Sequence, residues 1–471
     1  MSVSSVNGST KTRSNRSASP TPCCHKPSTR SIFVFSGGSA CNSLCQILQS
    51  ITINISYILG VSDNGGSTSE ILRVTGGPSI GDLRSRLTRL INTEDGDAET
   101  IAERIVIKEL LSYRLPADGE EASIRHEWTQ IVEGTHRLWS EISVEKKETI
   151  RGFLTLFHFE ILKRAHKRFD YRNGSIGNFF LTGARLFFNS LEAAIFLFAA
   201  ITGISEPTTV IPMISTNHMV TIAALLEDES TIVGQCEISH PSVQQRTGDA
   251  YVAEANGDHV LAKVNSNIIF DKHDCGKLPA RIKRIYYINE YGQEIFPKAN
   301  PKCIQLLSRK HTLLYSIGSL YTSIMPCLVL RGVGNAIAYS TSLRNKILML
   351  NGTVDRETEG YTAIDFLQAI VDGLNFSRQV DASAAHAECK SPSVLAEQAL
   401  TFPVSPCIDS EPASKFITHL IYLDNSQIPV DPEAIQRLGI ATIKVSGSPD
   451  AQGNPTYEQD ELWEILDELV Q

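Results

Sequence analysis

Short apolar segments alternate with amphipathic ones along most of the chain, and this alternation predicts an α/β protein. Residues 32–35 are uniformly apolar, residues 40–49 repeat their apolar positions at helical spacing, and residues 55–61 are mostly apolar again. Strand, helix and buried strand in this order form a parallel crossover unit, which is right-handed by default. Because such patterns continue towards the C-terminus, we predict a Rossmann-like, mostly parallel sheet with helices on both faces.

The later segments extend the same prediction. Helical periodicity dominates residues 80–168, for example in the common face of Leu83, Leu87 and Leu90. Further helices are predicted at 363–374 and 458–470, whereas 380–414, rich in Ala, Ser and Pro, is interpreted as an exposed linker. Further strands are predicted at 209–214, 219–226, 284–288, 312–316, 347–350, 417–423 and 441–445.

Glycine-rich loops follow the first two predicted strands. They read Ser36-Gly37-Gly38-Ser39 and Asp63-Asn64-Gly65-Gly66-Ser67, and Gly81-Asp82-Leu83-Arg84 begins the next helical pattern. Glycine allows the backbone to approach a ligand closely, and N–H groups at a helix start attract anions. Ligands of parallel sheets bind beyond the carboxyl ends of the strands, where both loops are placed. The pattern therefore predicts a site for a phosphorylated ligand, and for a nucleotide in particular.

Charge and composition narrow the class of protein. At 471 residues, 42% hydrophobic and 20% charged, the chain has the make-up of a globular protein with a substantial core. Its net charge of −9 argues against a general nucleic-acid or membrane-surface binder. Residues 1–30 contain five basic residues and no acid, and we predict a disordered, basic, Ser/Thr-rich tail there. We predict that residues 31–471 form a single domain, with insertions at about 92–170, 240–280 and 380–414.

The cysteine spacing and the hydropathy indicate the cellular compartment of the protein. The ten cysteines lack zinc-ligand spacing, which favours free thiols in a reducing compartment. The longest apolar run, residues 193–201, is too short to span a bilayer. We therefore predict a cytoplasmic protein without membrane or nucleic-acid partners. The composition of the tail is shared by transit peptides, so organelle targeting is the alternative.

Six motifs in this order resemble those of the CofD/YvcK family, from about residue 31 to about residue 374. Together they are far more specific than a single glycine loop. They are Gly37-Gly38-Ser39, Asp63 to Ser67, Gly81 to Arg84, Gly177-Asn178, Gly318 to Ser323, and Asn351 followed by Glu357-Thr358-Glu359-Gly360-Tyr361.

The resemblance implies a nucleotide diphosphate ligand, linked to guanosine or uridine, and two alternative functions. The CofD branch implies a transferase that moves a phospholactyl group from a guanosine diphosphate carrier to an alcohol, the hydroxyl of a deazaflavin, with a divalent metal. The YvcK branch implies a regulatory protein that binds nucleotide sugars without turnover. We favour the transferase as the first hypothesis and retain the binder as the second. A homodimer is a candidate assembly.

Asp63 and Asp82 are the predicted catalytic and metal-binding residues, and Mg²⁺ is the predicted cation. A hard cation such as Mg²⁺ takes one or two carboxylates and completes its shell with water and phosphate oxygens. In an alternative interpretation, Asp82 only complements the dipole of the helix that it begins. The family pattern has a second Asp where this chain has Asn64, which removes one charge and leans towards the binder.

A larger set of residues is predicted to contact the nucleotide or its phosphates, with Arg84 as a planar fork for phosphate. Asn178, Asn217 and Asn351 suit base or ribose recognition, although capping and turn formation are the simpler roles for each. Tyr321 suits either the ligand or core packing. The full set is Gly37, Gly38, Ser39, Asn42, Asn64, Gly65, Gly66, Ser67, Arg84, Asn178, Asn217, Gly318, Ser319, Tyr321, Thr322 and Asn351.

Overall fold

A seven-stranded parallel sheet forms the centre of the computed structural model, which describes residues 30–38, 40–164, 167–239, 276–390, 408–450 and 453–470. The strand order is β11-β10-β9-β8-β1-β2-β3, and neighbouring strands run parallel throughout. In chain order the described strands are β1 (Ile32–Phe35), β2 (Ile55–Leu59), β3 (Thr209–Pro212), β4 (Thr221–Leu226), β5 (Thr231–Val233), β6 (Ile282–Ile288), β7 (Glu294–Ile295), β8 (Thr312–Tyr315), β9 (Asn345–Met349), β10 (His419–Leu423), β11 (Ala441–Val445), β12 (Gly447–Pro449) and β13 (Pro455–Tyr457).

The central strands β1, β2 and β8 are buried along their whole length. Parallel strands covered on both faces have continuous apolar sequences, which is the pattern that residues 32–35 show. The α/β prediction is therefore confirmed. The described helices are α1 (Cys45–Ile51), α2 (Gly66–Thr75), α3 (Gly81–Arg89), α4 (Ala98–Ser112), α5 (Glu121–Glu133), α6 (Val144–Leu162), α7 (Ile176–Phe188), α8 (Leu191–Thr202), α9 (Gln235–Ser239), α10 (Pro301–Leu307), α11 (Met325–Leu328), α12 (Val333–Ala338), α13 (Ala363–Lys390), α14 (Ala413–Phe416), α15 (Pro432–Arg437) and α16 (Gln459–Leu469).

A second, antiparallel sheet contains two of the predicted strands. The predicted segments 219–226 and 284–288 form β4 and β6, and these pair with each other instead of entering the parallel sheet. The order of this sheet is β5-β4-β6-β7. The sequence did not indicate it, because an apolar segment predicts a strand but not the sheet that the strand joins.

Helix α13 corrects the predicted linker. It continues to Lys390, whereas the sequence predicted a helix ending at 374 and a linker beginning at 380. Val380 and Ala384 are buried, and the Ser377 hydroxyl donates to the Leu330 carbonyl oxygen at 2.6 Å. Alanine is the strongest helix former, so the Ala-rich composition extends the helix here.

Several predicted segments lie outside the described residues, namely the tail up to residue 29, residues 240–275 of one insertion and residues 391–407 of another. Residues 92–170 of the third insertion contain α4, α5 and α6. In the part of the chain that the structure describes, no helix combines the length and hydropathy needed to cross a membrane.

Candidate functional site

Four loops meet at one edge of the parallel sheet. Strands β9, β8, β1 and β2 are consecutive neighbours, so their carboxyl ends point the same way. The segments that leave these ends are 350–351, 316–319, 36–38 and 60–66. The candidate site is built on this edge, in accordance with the general position of ligands in parallel sheets.

The first glycine loop and the Gly318 loop are pressed against each other. A β-carbon on Gly37 would lie 1.9 Å from the Ile317 carbonyl oxygen and 2.6 Å from the Gly318 Cα. Gly318 has φ +150° and meets Gly37 just as closely from its own side. Glycine is therefore required at both positions for loop packing, before any ligand is considered.

Gly38 faces the carboxylate of Asp82. Its φ is +59°, and a β-carbon there would lie 3.3 Å from Asp82 Oδ2 and 3.5 Å from Ser323 Oγ. The first loop, helix α3 and the end of the Gly318 loop thus face one another. Ser323 belongs to the Gly318 motif, but sequence reasoning did not select it as a site residue.

Asp63 lies close enough to Asp82 to affect its ionisation. Asp63 accepts a hydrogen bond from the Gly65 N–H at 2.9 Å, which orders the second glycine loop. Burial, together with the negative charge of Asp63, raises the pKa of Asp82 to about 7, while Arg86 and Arg84 oppose the shift. Two carboxylates that disfavour each other's charge form a natural position for a cation or for a shared proton.

This donor set fits a magnesium ion but not a fully protein-enclosed metal. Within the described residues, no group of three or more His, Cys, Asp or Glu side chains could hold a metal. Mg²⁺ commonly takes two carboxylates and fills its shell with water and phosphate oxygens. Asn42 Oδ1 also lies buried without a hydrogen-bond partner in the described structure, while its Nδ2 donates to Ser85 Oγ at 3.2 Å.

Asn178 connects the starts of three helices. Its Nδ2 donates to Ser67 Oγ on α2 at 3.0 Å, and its Oδ1 accepts from Arg84 Nε on α3 at 3.3 Å. Asn178 itself is fully buried in the first turn of α7. The network gathers three helix N-termini, where partial positive charge accumulates. Gly66 begins α2 with φ +55° and open space beside it.

Asn64, which stands where the family pattern has a second Asp, contacts the protein backbone. Its Oδ1 accepts a hydrogen bond from the Cys236 N–H at 3.1 Å, which ties the second loop to helix α9. Burial and the charge of Asp63 raise the pKa of the Cys236 thiol to about 12. The amide oxygen of Asn64 is thus turned towards the protein backbone.

Glu357, which was not among the predicted site residues, holds the loop after β8. Its Oε2 accepts from the Tyr321 N–H at 2.9 Å and the Thr322 N–H at 3.1 Å, and its Oε1 accepts from the Thr322 hydroxyl. The Tyr321 hydroxyl lies 3.0 Å from that of Tyr361. Tyr321 and Thr322 are buried, so their side chains contact protein, and their proposed contact with a ligand stays a prediction. Ser319 is partly exposed.

Arg86, which was also not among the predicted site residues, holds the first glycine loop in place. It is fully buried and donates to Ser36 Oγ at 2.8 Å, to the Gly38 carbonyl oxygen at 3.3 Å and to the Cys41 carbonyl oxygen at 3.2 Å. The signal was present in the Gly-Asp-Leu-Arg-Ser-Arg sequence, but one-dimensional spacing did not show that this second arginine turns inwards.

Two predicted residues are not placed with the rest. The Asn217 side chain forms a hydrogen bond to Asn189, the residue that caps the C-terminal end of α7. Its Nδ2 donates to the Asn189 carbonyl oxygen at 2.5 Å. Ser39 lies outside the described residues. Asn351 lies at the site edge and contacts the backbone of Gly318.

These features define an α/β protein with two glycine loops and a pair of carboxylates at the carboxyl edge of its sheet. The family model "2-phospho-L-lactate transferase CofD" matches residues 32–441. The chain belongs to this CofD family.

Relatives and solved structures agree with this assignment. An uncharacterised protein of Saccharomyces cerevisiae is 37% identical over 475 residues, covering 93% of this chain and 99% of the relative. A gluconeogenesis factor of Halalkalibacterium halodurans is 37% identical over 97 residues, covering 20% of this chain and 29% of that protein. A crystal structure of a UPF0052 family member from Bacillus halodurans superposes with a TM-score of 0.57 at 17% identity, covering 93% of this chain and 99% of that one. This last likeness supports the fold.

Proposed function

We propose that the chain binds a nucleoside diphosphate compound together with a divalent cation and transfers a phosphorus-linked group from it to an alcohol. The observation that carries the proposal is the juxtaposition of Asp63, in the second glycine loop, with Asp82, which faces Gly38 of the first. Backbone N–H groups and helix N-termini would bind the phosphates. Because the protein carries a net negative charge, its attraction for a phosphorylated ligand must come from such local groups. The family description, 2-phospho-L-lactate transferase CofD, supports a group of the 2-phospho-L-lactate type.

In this proposal Asp63 and Asp82 would hold Mg²⁺, which would neutralise charge on the diphosphate when bound. The acceptor hydroxyl oxygen would form a bond to the distal phosphorus. The bridging P–O bond would break, and the nucleoside monophosphate would leave with the electron pair. The hydroxyl proton would pass to one of these carboxylates. Most of the rate enhancement would come from positioning and electrostatics.

A second candidate function is regulated binding of a nucleotide sugar without turnover. Asn64 favours it, because the second position of the family's Asp-Asp pair carries no negative charge here. A site with fewer carboxylates can still bind a nucleotide through its loops. It would supply less charge to hold a metal or to receive a proton.

The decisive experiment measures binding and product together. Isothermal titration with guanosine and uridine diphosphate compounds, with and without Mg²⁺, should show metal-dependent binding by the wild type and its loss in Asp63→Asn. Mass spectrometry should then detect transfer of the phosphorus-linked group to a deazaflavin alcohol. The matched control is Asp118→Asn at an exposed position on a loop, which should bind like the wild type.

The outcomes separate the two candidates. Metal-dependent binding with product formation supports the transferase. Binding of a uridine diphosphate sugar without product, unchanged in Asp63→Asn, supports the regulatory binder. Absence of binding to every nucleotide diphosphate compound would overturn both proposals.

A further inference from the structure

Two arginines without an acidic partner lie beside the start of α7. Arg84 is 9% exposed, and Arg114 is exposed at the end of the segment that follows α4. Neither forms an ion pair with a carboxylate in the described ranges, and Arg114 Nη1 donates to the Asn173 carbonyl oxygen at 3.3 Å. Buried arginines normally pair with acids, because an unpaired charge in the interior is costly.

The guanidinium of Arg84 is fixed in direction. Its Nε donates to Asn178, and its stem passes over Gly177, where an added β-carbon would lie 3.0 Å from Arg84 Cγ and Cδ. No hydrogen bond joins its Nη1 or Nη2 to another described residue, and neither nitrogen is enclosed. Gly177 admits both the Leu111 carbonyl oxygen, 2.3 Å from such a β-carbon, and the arginine stem. The two outer nitrogens of Arg84 remain available for a planar anion.

Backbone pairing holds Arg114 against the same helix start. The Leu115 N–H donates to the Gly174 carbonyl oxygen at 2.9 Å, and the Ile176 N–H donates to the Tyr113 carbonyl oxygen at 3.0 Å. Arg114 pairs with Ser175 in an isolated antiparallel bridge. Its position is therefore set by the backbone rather than by a flexible loop, even though its side chain is exposed.

Ser175 supplies an independent observation. It precedes α7 as the N-cap residue, is fully buried, and its hydroxyl has no hydrogen-bond partner in the described structure. An N-cap serine usually accepts from the first turn of its helix, and here it does not. A buried hydroxyl without a hydrogen-bond partner, at the start of a 13-residue helix, indicates that a ligand group binds nearby.

The electrostatics agree with the geometry. Arg84 and Arg114 lie close enough for their like charges to disfavour each other. Two like charges brought together beside a helix N-terminus are relieved when an anion binds between them.

We infer that Arg84, Arg114 and the start of α7 form a second anion-binding position, which takes a carboxylate or phosphate group of the ligand separate from its diphosphate. This inference rests on the proposed function for the remainder of the ligand. Asn178 joins the position to Ser67 and hence to the second glycine loop, so one ligand can reach both. Arg114 lies in the 92–170 segment, outside the six motifs, and would give this chain its own selectivity for an acidic ligand.

The test uses Arg114→Gln, because Arg114 is exposed and its loss should leave the fold intact. Arg309→Gln is the matched control: Arg309 is also exposed but precedes β8, at the opposite edge of the sheet. In the first arm, inorganic phosphate without Mg²⁺ should raise the melting temperature of the wild type and of Arg309→Gln more than that of Arg114→Gln. In the second arm, uridine and guanosine diphosphate sugars are titrated in matched neutral and uronate forms.

The uronate should bind the wild type about tenfold more tightly than the neutral sugar, as expected for a charge-assisted hydrogen bond, and Arg114→Gln should remove this preference. An equal loss for both sugars would overturn the inference, because Arg114 would then serve the shared diphosphate. Equal phosphate stabilisation in all three proteins would overturn it too. If no nucleotide sugar binds the wild type, the phosphate arm alone decides the inference, and the proposed function is decided separately by its own titration.

Discussion

Asn351 and Gly318 form two reciprocal hydrogen bonds. The Gly318 N–H donates to Asn351 Oδ1 at 3.0 Å, and Asn351 Nδ2 donates to the Gly318 carbonyl oxygen at 2.9 Å. One side chain after β9 therefore fixes the backbone of the loop after β8, which in turn packs on the loop after β1. The simpler role foreseen for this asparagine, turn stabilisation, is present in the structure. Recognition of a nucleotide by its remaining lone pair and N–H stays a prediction.

We expect Asn351→Ala to destabilise the protein by about 2 kcal/mol, since it leaves two part-buried backbone groups without partners. The measurement is urea unfolding followed by circular dichroism. Asn454→Ala, at an exposed turn, is the control and should change the stability by no more than about 0.5 kcal/mol. Equal midpoints for the two variants would show that the reciprocal pair contributes nothing.

Gly37→Ala tests the contact between the two loops. The new β-carbon would lie 1.9 Å from a backbone oxygen, and the facing Gly318 cannot withdraw without moving its own strand end. We expect a loss of about 3 kcal/mol or more, at the upper end for overpacking. Gly60→Ala is the matched control after β2, because nothing lies within 4 Å of its β-carbon. A Gly37→Ala protein as stable as Gly60→Ala would contradict the observed packing.

The sequence allowed the parallel sheet and its loops to be predicted because their signals are local. A buried strand shows as an apolar run, and the glycine loop follows it directly, as at residues 32–38. Membership of a sheet is not local, which is why β4 and β6 were identified as strands but not as a separate antiparallel sheet.

The candidate site divides in the same way. Asp63 and Asp82 were predicted from motifs, and the structure brings them together. Arg86 and Glu357 were not predicted, because their role depends on contacts across 50 and 35 residues of sequence to Ser36 and Thr322. Spacing also could not show that Asn217 is bonded to Asn189, since both lie in polar turns that would suit a ligand equally well.

Glu357 should make the stability depend on pH. Burial, with the charge of Asp355 added, raises its pKa from 4.5 to about 8 in the folded protein. Between these values the folded state holds a proton that the unfolded state has released, so this group's contribution to stability falls as the pH rises. The slope is at most about 1.4 kcal/mol per pH unit.

Glu357→Gln removes this titration. The stability of the variant relative to the wild type should therefore increase from about pH 5 to about pH 8, roughly the window between the two pKa values. Urea unfolding at several pH values measures the difference. Glu359→Gln, at the exposed position two residues further along, is the control and should keep a constant offset from the wild type. A constant offset for Glu357→Gln as well would show that its carboxyl is not protonated in the folded protein.

Asp82→Asn should make the metal-free protein more stable and abolish its stabilisation by a metal. In the wild type the pKa of Asp82 is raised from 3.8 to about 7, so the stability that this group contributes is lost as the pH rises towards 7. Above that pH the variant, which no longer opposes the charge of Asp63, should be more stable than the wild type by about 1–2 kcal/mol in EDTA. Excess MgCl₂ with a nucleoside diphosphate should stabilise the wild type and leave Asp82→Asn unchanged, because one of two carboxylates is lost. Differential scanning calorimetry under the two conditions gives both values, with Asp118→Asn as the surface control. A variant that is less stable than the wild type in EDTA would show that Asp82 serves the helix start rather than a cation.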